Sequence, residues 1–295
     1  MRHKIFIGFL AVLAVACSND EVTPPEDEGR MKVNIVTRGS GEEVGSGDVK
    51  AGLFMVNYLD GRPDVLEADG NYVHNQQLTF SNGAWTSATP IYWSDTDTPA
   101  DFYAYAPYQT TVTDALAMPF AVQADQRSQT AFAASDLMWG TLAGCSPTTE
   151  SFDLTLSHVL SRLTVAVTAE QGFAEGELKA DDVSVTIGGT RTHGTINLAT
   201  GTISVLDGFA AEDVKCFSNG DLSYTAVLLP QNVPFANLVK VDWKGNIYTL
   251  QNSFLLEAAR QYTLTVRLKR TQSGFDIGIE GWDIIEEDFG GSVGG

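Results

Sequence analysis

Residues 152–167 read FDLTLSHVLSRLTVAV, and this stretch decides the predicted fold class. Apolar side chains occupy every second position, at Leu154 and Leu156 and then, after a change of phase, at Leu163 and Val165. A period of two places these side chains on one face of a β-strand, whereas a helix repeats about every 3.6 residues. The change of phase predicts either a β-bulge inside one long strand or a strand that leaves one core and enters another.

The same alternation recurs along the chain, in residues 183–187, 239–243 and 262–268. Turn-forming pairs such as Asp69-Gly70 and Asn82-Gly83 separate the alternating segments. Many short strands joined by Gly and Asn turns are typical of antiparallel sheets that pack face to face. The sequence therefore predicts an all-β fold built from antiparallel β-sandwiches.

The length of 295 residues predicts two domains, because a domain typically contains about 50 to 200 residues. The strand pattern relaxes after residue 168, where Gln171-Gly172 and Glu175-Gly176 interrupt the alternation. We therefore predict an N-terminal β-sandwich domain over residues 31–168 and a C-terminal one over residues 169–295.

The composition excludes several kinds of partner and site. The chain carries 18 Lys and Arg against 37 Asp and Glu, which gives a net charge of −19. A nucleic-acid-binding surface needs clustered cations, so we exclude nucleic acid as the main partner. The three cysteines form no closely spaced pair for zinc, and no metalloprotease, serine-hydrolase or phosphate-loop motif is present. The sequence predicts neither an enzyme nor a metal or cofactor site.

The first 17 residues read MRHKIFIGFLAVLAVAC. Arg2 and Lys4 precede an apolar run over residues 5–16, which is too short for a membrane-spanning helix of about 20 residues. A short apolar run behind basic residues is typical of a secretory signal peptide. We therefore predict that residues 1–16 are a signal peptide.

Cys17 follows Ala14 and Ala16, and this end of the apolar run resembles a bacterial lipobox. A lipobox is cut directly before its cysteine, which then carries diacylglycerol. The resemblance implies lipidation of Cys17 and anchoring in the outer membrane, since each buried CH₂ group contributes about 0.8 kcal/mol. A plain secretory signal with an incidental cysteine is the alternative.

Residues 17–30 are rich in acidic side chains and contain Pro24 and Pro25, so they cannot build a core. We predict that they form a lipidated, flexible tether. An acidic run directly after a lipidated cysteine resembles the signal that sends Bacteroidota lipoproteins to the outer face of the outer membrane. A merely soluble spacer is the alternative.

Histidine and cysteine are two further residue types that could form a site. His158 shares the inward phase of its strand with Leu156 and Leu160, so we predict a buried core residue rather than a ligand. Cys145 and Cys216 fall on opposite sides of the predicted domain boundary. Cysteines whose Cα atoms lie more than about 7 Å apart cannot form a disulfide, so we favour two free, half-buried thiols. A disulfide formed after export is the alternative.

Aromatic residues concentrate at Tyr92-Trp93 and in residues 102–108, which read FYAYAPY. On an outer face, Tyr and Trp would stack on sugar rings, which predicts a surface glycan-binding lipoprotein as an alternative function. On an inner face they would fill the core of a sandwich, which is the interpretation we favour.

Several short motifs follow one another along the chain. They are Trp85, Ile91-Tyr92-Trp93, residues 101–108 (DFYAYAPY), residues 136–138 (DLM), residues 156–163 (LSHVLSRL), residues 261–264 (QYTL), Ile279 and Trp282. In this order, and together with the lipobox, they resemble the fimbrillin-like pilins of the Bacteroidales over essentially the whole mature chain. The resemblance implies two tandem transthyretin-like β-sandwich domains, and a type V pilus subunit or surface adhesin without catalysis or cofactor.

The resemblance also implies assembly with other pilin subunits by donor-strand exchange. Such pilins are cut by a surface protease, often arginine-specific, which releases the first strand and opens a groove for a strand of a neighbouring subunit. Residues 32–37 (KVNIVT) fit the first strand, and Arg38 follows them, ahead of a glycine-rich loop suited to entering a protease. Arg30 would remove only the tether and is the weaker candidate. An ordinary exposed arginine at a strand end is the alternative for Arg38.

The last alternating segment predicts a final strand over residues 275–282, which leaves residues 283–295 as a tail. A donor strand requires apolar side chains at alternating positions, and the tail spaces its apolar residues irregularly among acidic residues and glycines. We therefore predict a tip-like or accessory subunit that accepts a strand but donates poorly. A host or glycan receptor is a further possible partner, which the sequence does not identify.

Overall fold

The computed structural model describes residues 29–38, 49–170, 172–270, 277–279 and 284–288. Within these ranges the chain forms twenty β-strands, one short α-helix and one 3₁₀ turn, which confirms the predicted all-β class. The helix α1 spans Gln129–Ser135 and the 3₁₀ turn spans Ala180–Asp182. Ser128 caps α1, because its hydroxyl oxygen accepts a hydrogen bond of 3.1 Å from the Ala131 N–H.

The strands alternate with tight turns along both halves of the chain. The first nine are β1 (Lys32–Arg38), β2 (Val49–Asn57), β3 (Val73–Ser81), β4 (Ala84–Thr86), β5 (Ala100–Ala106), β6 (Met118–Ala121), β7 (Met138–Cys145), β8 (Ser151–His158) and β9 (Ser161–Ala169). The remaining strands are β10 (Val183–Thr190), β11 (His193–Asn197), β12 (Thr202–Val205), β13 (Glu212–Lys215), β14 (Phe217–Gly220), β15 (Ser223–Leu228), β16 (Gln231–Trp243), β17 (Asn246–Leu256), β18 (Arg260–Arg270), β19 (Ile277–Ile279) and β20 (Ile284–Asp288).

The first half of the chain forms one seven-stranded sheet in the order β1-β8-β7-β5-β2-β3-β4. Its neighbouring strands run antiparallel, except that β1 and β8 run parallel. The sheet curves so that its two edges meet, since β1 contacts β4. The indole N–H of Trp85 in β4 donates a hydrogen bond of 2.9 Å to the carbonyl oxygen of Ile35 in β1. The enclosed core contains Leu53, Phe102 and Leu154.

The second half forms two sheets that enclose a second core. One has the order β13-β10-β16-β17, and the other has the order β14-β15-β9-β18-β19, with β20 also paired to β18. Their facing side chains include Val165, Val185, Val241 and Val266, each at most 2% exposed. Alternating β-branched residues thus form the two layers that their period of two predicts.

A third core joins the two halves of the chain. It contains Tyr105 from the first half, Leu160 from the connection, and Ile196 and Val227 from the second half. The small sheet β12-β11-β6 crosses between the halves as well. Gln126, fully buried, donates to the Val227 carbonyl oxygen at 2.8 Å and accepts from the Val227 N–H at 2.9 Å. The two halves are therefore packed against each other through apolar and hydrogen-bonded contacts.

The stretch at residues 152–167 forms two strands rather than one. Its first part is β8 in the seven-stranded sheet, and its second part is β9 in the sheet with β15 and β18. The change of phase therefore marks a chain that leaves one core and enters another, and the interpretation as a bulge is wrong. Strand pairing changes sheets at residues 159–160, ahead of the predicted boundary at 168–169. The division into two domains stays a prediction, as does their transthyretin-like arrangement.

Candidate functional site: the first strand and its groove

The first strand, β1, lies in its groove through alternating apolar side chains. Met31, Val33 and Ile35 are 7%, 8% and 4% exposed, whereas Lys32 between them faces solvent. This is the pattern that a period of two imposes on a strand with one buried face. Met31, Val33 and Ile35 belong to the same core as Leu154 of β8. β1 therefore completes the core of the first half.

Among the described strands, β1 pairs with β8 alone. The parallel register runs from Lys32 opposite Ser151 to Arg38 opposite Ser157. A side-chain bond reinforces it, because the Asn34 amide donates to the Asp153 carboxylate at 2.7 Å. On its other side, β1 meets β4 through the Trp85 indole bond described above. One ladder and a few side-chain bonds hold the strand in place.

The residues immediately before β1 are held by a different part of the chain. The Met31 N–H donates to the Ile91 carbonyl oxygen at 2.9 Å, and the Trp93 N–H donates to the Gly29 carbonyl oxygen at 3.0 Å. Between these bonds, Arg30 forms an antiparallel bridge with Tyr92. The backbone on both sides of Arg30 is therefore paired, whereas residues 39–48 after β1 lie outside the described part of the chain.

The groove under β1 has an aromatic floor. The ring of Trp93 lies 5.6 Å from that of Phe102 and 5.9 Å from that of Phe152, measured between centroids, and Phe102 lies 4.9 Å from Phe152. Such edge-on and tilted contacts each contribute about 0.5–1.5 kcal/mol beyond the area that they bury. The rings of the floor come from β5, from β8 and from the connection that precedes β5, so their packing does not depend on β1 alone.

Of the two predicted modification sites, Cys17 and Arg38, the structure describes only the second. Cys17 lies outside the described residues, as does most of the predicted tether. Arg38 is the last residue of β1, and its backbone stands opposite Ser157 of β8. The sequence predicts the first strand over residues 32–37 with Arg38 after it, and the structure extends the strand by one residue to include Arg38. Cleavage at Arg38 and lipidation of Cys17 stay predictions.

His158 differs in detail from the predicted core residue. Its side chain is 18% exposed, and its Nδ1 atom lies 2.8 Å from the Asp136 carboxylate oxygen. The imidazole therefore lies at the margin of the core beside an acid, a contact that alternation within one strand gives no signal for. Within the described ranges, no three His, Cys, Asp or Glu side chains are grouped so that they could hold a metal ion.

Cys145 and Cys216 are free thiols, as favoured from the sequence. Cys145 is half-buried, as predicted, but Cys216 is 3% exposed and lies in the core of the second half. Burial raises the pKa of both thiols, and most strongly that of Cys216. Both therefore stay protonated near neutral pH and are poor nucleophiles.

Much of the aromatic cluster faces the core, whereas Tyr92 is exposed and Tyr103 and Tyr108 are partly exposed. Trp93 is 7% exposed, and Phe102 and Tyr105 are fully buried. The Tyr105 hydroxyl donates to the Asn75 side-chain oxygen at 2.8 Å, and burial raises the pKa of Tyr105 far above its usual range. Only Tyr92 of the Tyr92-Trp93 pair is substantially exposed, at 45%. A buried ring cannot stack on a sugar.

The C-terminal segment differs from the predicted strand and free tail. β19 pairs with β18 from Ile279 opposite Leu268, and β20 then resumes the same edge from Ile284 opposite Leu264. Five residues of the predicted tail therefore extend the sheet of the second half. Backbone pairing does not require alternating side chains, which is why the sequence pattern missed β20.

None of the helices among the described residues is long and apolar enough to cross a membrane.

Comparison with protein families gives one match that spans most of the chain. A family model described as fimbrillin-like matches residues 37–282. This range begins at the end of β1. It includes all residues of the core of the second half and of the core that joins the two halves. No curated protein matches the chain by sequence.

Several solved structures share the fold. A candidate cell-adhesion protein from Bacteroides uniformis is 21% identical, with a TM-score of 0.66 over 89% of this chain and 98% of its own. A second candidate cell-adhesion protein, from Bacteroides ovatus, is 16% identical, with a TM-score of 0.65 over 88% and 96%. A fimbrial protein from Bacteroides ovatus is 18% identical, with a TM-score of 0.52 over 84% of this chain and 50% of its own.

Proposed function

The chain belongs to the fimbrillin-like family, and from this membership we propose that it is a fimbrial subunit or cell-surface adhesin. The family is one of structural and adhesion proteins, which agrees with the expectation that the chain is not an enzyme. A more specific proposal follows from the position of β1, which lies at the edge of its sheet and pairs with β8. A strand held at a sheet edge by one parallel ladder is suited to replacement by a strand of another subunit.

We propose that assembly proceeds by exchange of β1. Without β1, the groove would expose the free edge of β8 together with apolar side chains such as Leu154 and Leu156. Each fully buried side chain of this kind contributes about 1.5–3 kcal/mol. After cleavage, β1 would therefore stay bound in the groove until a strand of another subunit replaces it with similar apolar side chains. A strand that entered antiparallel to β8 would also gain a slightly more stable ladder than the parallel one.

Cleavage after Arg38 is the proposed trigger. A protease needs an extended, accessible backbone, which chain segments between paired elements supply best. The backbone around Arg30 is paired on both sides with residues 91–93, so its cleavage would require local opening first. Arg38 is paired with Ser157 as the last residue of β1, so only the end of one ladder has to open there, and the nine residues that follow in the sequence include four glycines.

The remaining parts of the proposal concern location and position in a fibre. We propose that lipid on Cys17 anchors the protein at the outer membrane, with residues 17–30 as the tether that leads to the folded part. We also propose a tip-like or accessory subunit that accepts a strand. The pairing of β20 with β18 supports this, because these five residues are engaged in the subunit's own sheet and are not free to be donated.

The experiment that tests this function compares two arginine variants. Wild type, Arg38→Ala and Arg30→Ala are mixed with a strand-donating pilin of the family and treated with an arginine-specific surface protease, and assembly is scored as an SDS-resistant complex with that pilin. We expect wild type and Arg30→Ala to form the complex, and Arg38→Ala to keep its first strand and stay monomeric. A normal yield of complex from Arg38→Ala would contradict the assignment, and the absence of complex from cleaved wild type would contradict exchange at β1.

A further inference from the structure

The described sheet edges differ sharply in how they are protected. Exposed strand edges tend to pair with other chains unless they are short, charged or interrupted by proline. β4, β6, β12, β13 and β14 contain only three or four residues each, and β13 is also charged. β1 has seven residues and carries Lys32 and Arg38. β17 has eleven residues, reads NIYTLQNSFLL, and contains no charge and no proline.

β17 also presents apolar side chains beside this edge, to which no described strand is paired. Its one described ladder is with β16, and β19, which contacts β17, pairs with β18 instead. Its outward side chains fall at odd positions, and among them Ile247 is 64% and Leu255 is 59% exposed. Phe235, in the bulge of the neighbouring strand β16, is 71% exposed. Three large apolar side chains of one hairpin therefore face solvent.

We propose that β17 pairs antiparallel with β17 of a second copy of this chain, about a two-fold axis at Gln251. The sequence of the strand matches itself in this register. On the outer face Ile247 stands opposite Leu255 of the second copy, Thr249 opposite Ser253, and Gln251 opposite Gln251. Apolar residues thus meet apolar residues at both ends, and small or polar residues meet at the centre, as stable cross-strand pairs require.

The electrostatics favour this strand over the rest of the surface as a contact between identical copies. The net charge of −19 makes two copies repel each other, and a two-fold contact places identical patches together. β17 contributes no charge to such a contact, so it brings no repulsion of its own. A two-fold axis also closes the assembly at two copies, because each copy uses its single β17 edge.

The expected contact is modest in size. Eleven paired residues give roughly ten interstrand hydrogen bonds. A contact through one strand edge falls in the class below about 1,200 Å² of buried surface, which is typical of weak, concentration-dependent association. β17 lies in a different sheet from β1, so this pairing is independent of strand exchange and of the proposed function.

The test uses charge reversal at the two-fold axis. The exported chain carries Cys17→Ser in every sample, so that lipid does not cause association. Sedimentation velocity over a range of concentrations compares wild type, Gln251→Lys, Gln251→Glu and an equimolar mixture of these two variants. Gln251 also donates to the Asn237 side-chain oxygen at 2.9 Å within one chain, so Asn237→Ala serves as the control that loses this bond without adding charge.

We expect a wild-type dimer whose dissociation constant rises at least about tenfold in each charged variant, because like charges then face each other across the axis. The mixture should restore dimerisation, since Lys then faces Glu, and Asn237→Ala should dimerise like wild type. A wild type that is monomeric at every concentration would overturn the proposal. So would a dimer that tolerates both charged variants, or a mixture that dimerises no better than either variant alone.

Discussion

β1 and β9 both run parallel to a neighbouring strand, but the protein holds them in opposite ways. β1 lies at a sheet edge and, among the described strands, pairs with β8 alone. β9 lies inside its sheet, between β15 and β18. β1 can therefore leave by breaking one ladder, whereas removal of β9 would divide its sheet. The same local sequence pattern thus forms an edge strand, which we propose is exchanged, and a central strand that holds its sheet together.

The first prediction compares one buried side chain from each strand. Leu163 of β9 is fully buried and Ile35 of β1 is 4% exposed. Replacing either with Ala should lower the free energy of unfolding of the uncut chain by about 2–5 kcal/mol, because the lost contacts leave a cavity. In assembled material, Leu163→Ala should keep its full effect and Ile35→Ala should have none. Denaturant unfolding before and after assembly measures both.

Wild-type material taken through the same assembly is the control for that comparison. If Ile35→Ala weakened the assembled form as strongly as Leu163→Ala does, β1 would still occupy its groove there, and exchange of β1 would be wrong.

The second prediction concerns the contact that holds the outer side of β1. Trp85→Phe keeps an aromatic ring but removes the donor that reaches the Ile35 carbonyl oxygen. A hydrogen bond of this kind contributes about 0.5–1.5 kcal/mol, so the cleaved β1 should leave about two- to tenfold faster. Gel filtration of cleaved protein challenged with a synthetic competing strand measures the release. Trp139→Phe is the matched control, since its indole donates to the Leu198 carbonyl oxygen instead and its ring packs against the third core.

The third prediction concerns the core against which β9 packs. The Tyr224 hydroxyl donates to the Ala180 carbonyl oxygen at 3.1 Å. Burial, and to a lesser extent the charge of Asp181, raises the pKa of Tyr224 to about 12. An unfolded tyrosine titrates near pH 10, so the folded state retains its proton longer. This contribution to stability is complete below about pH 10 and is lost as the pH rises to about 12.

Tyr224→Phe should therefore lose stability less steeply than wild type between about pH 10 and 12, while at neutral pH it is destabilised by about 0.5–1.5 kcal/mol. Cleavage after Arg38 should leave the Tyr224 effect unchanged, because Tyr224 belongs to the other core. Equal slopes for wild type and Tyr224→Phe would contradict this prediction.

The sequence predicts β1 and β9 individually because each buries side chains at alternating positions. It does not predict that Lys32–Arg38 pairs in parallel with β8, since that pairing joins residues more than one hundred positions apart. The Trp85 bond to β1 is equally non-local. Alternation reports which face of a strand is buried, whereas the neighbour depends on how the whole sheet folds.

The same distinction explains the other differences from expectation. β20 reads IIEED, which has no alternation, and its placement rests on backbone pairing with β18. Gln126 is polar and yet fully buried, because its side-chain amide forms hydrogen bonds with both the N–H and the carbonyl oxygen of Val227. His158, the last residue of β8, contacts Asp136, which lies just before the neighbouring strand β7. Each of these contacts is fixed by tertiary structure rather than by local pattern.

The most direct test of exchange at β1 is the N-terminal residue of the protein in assembled surface material, determined by mass spectrometry. If Arg38 is the cleavage site and β1 is released, the first residue should be Gly39, and no peptide from residues 32–38 should remain in the polymer after denaturation. An N-terminus at Cys17 or at Met31 would leave β1 in the assembled subunit and contradict the account.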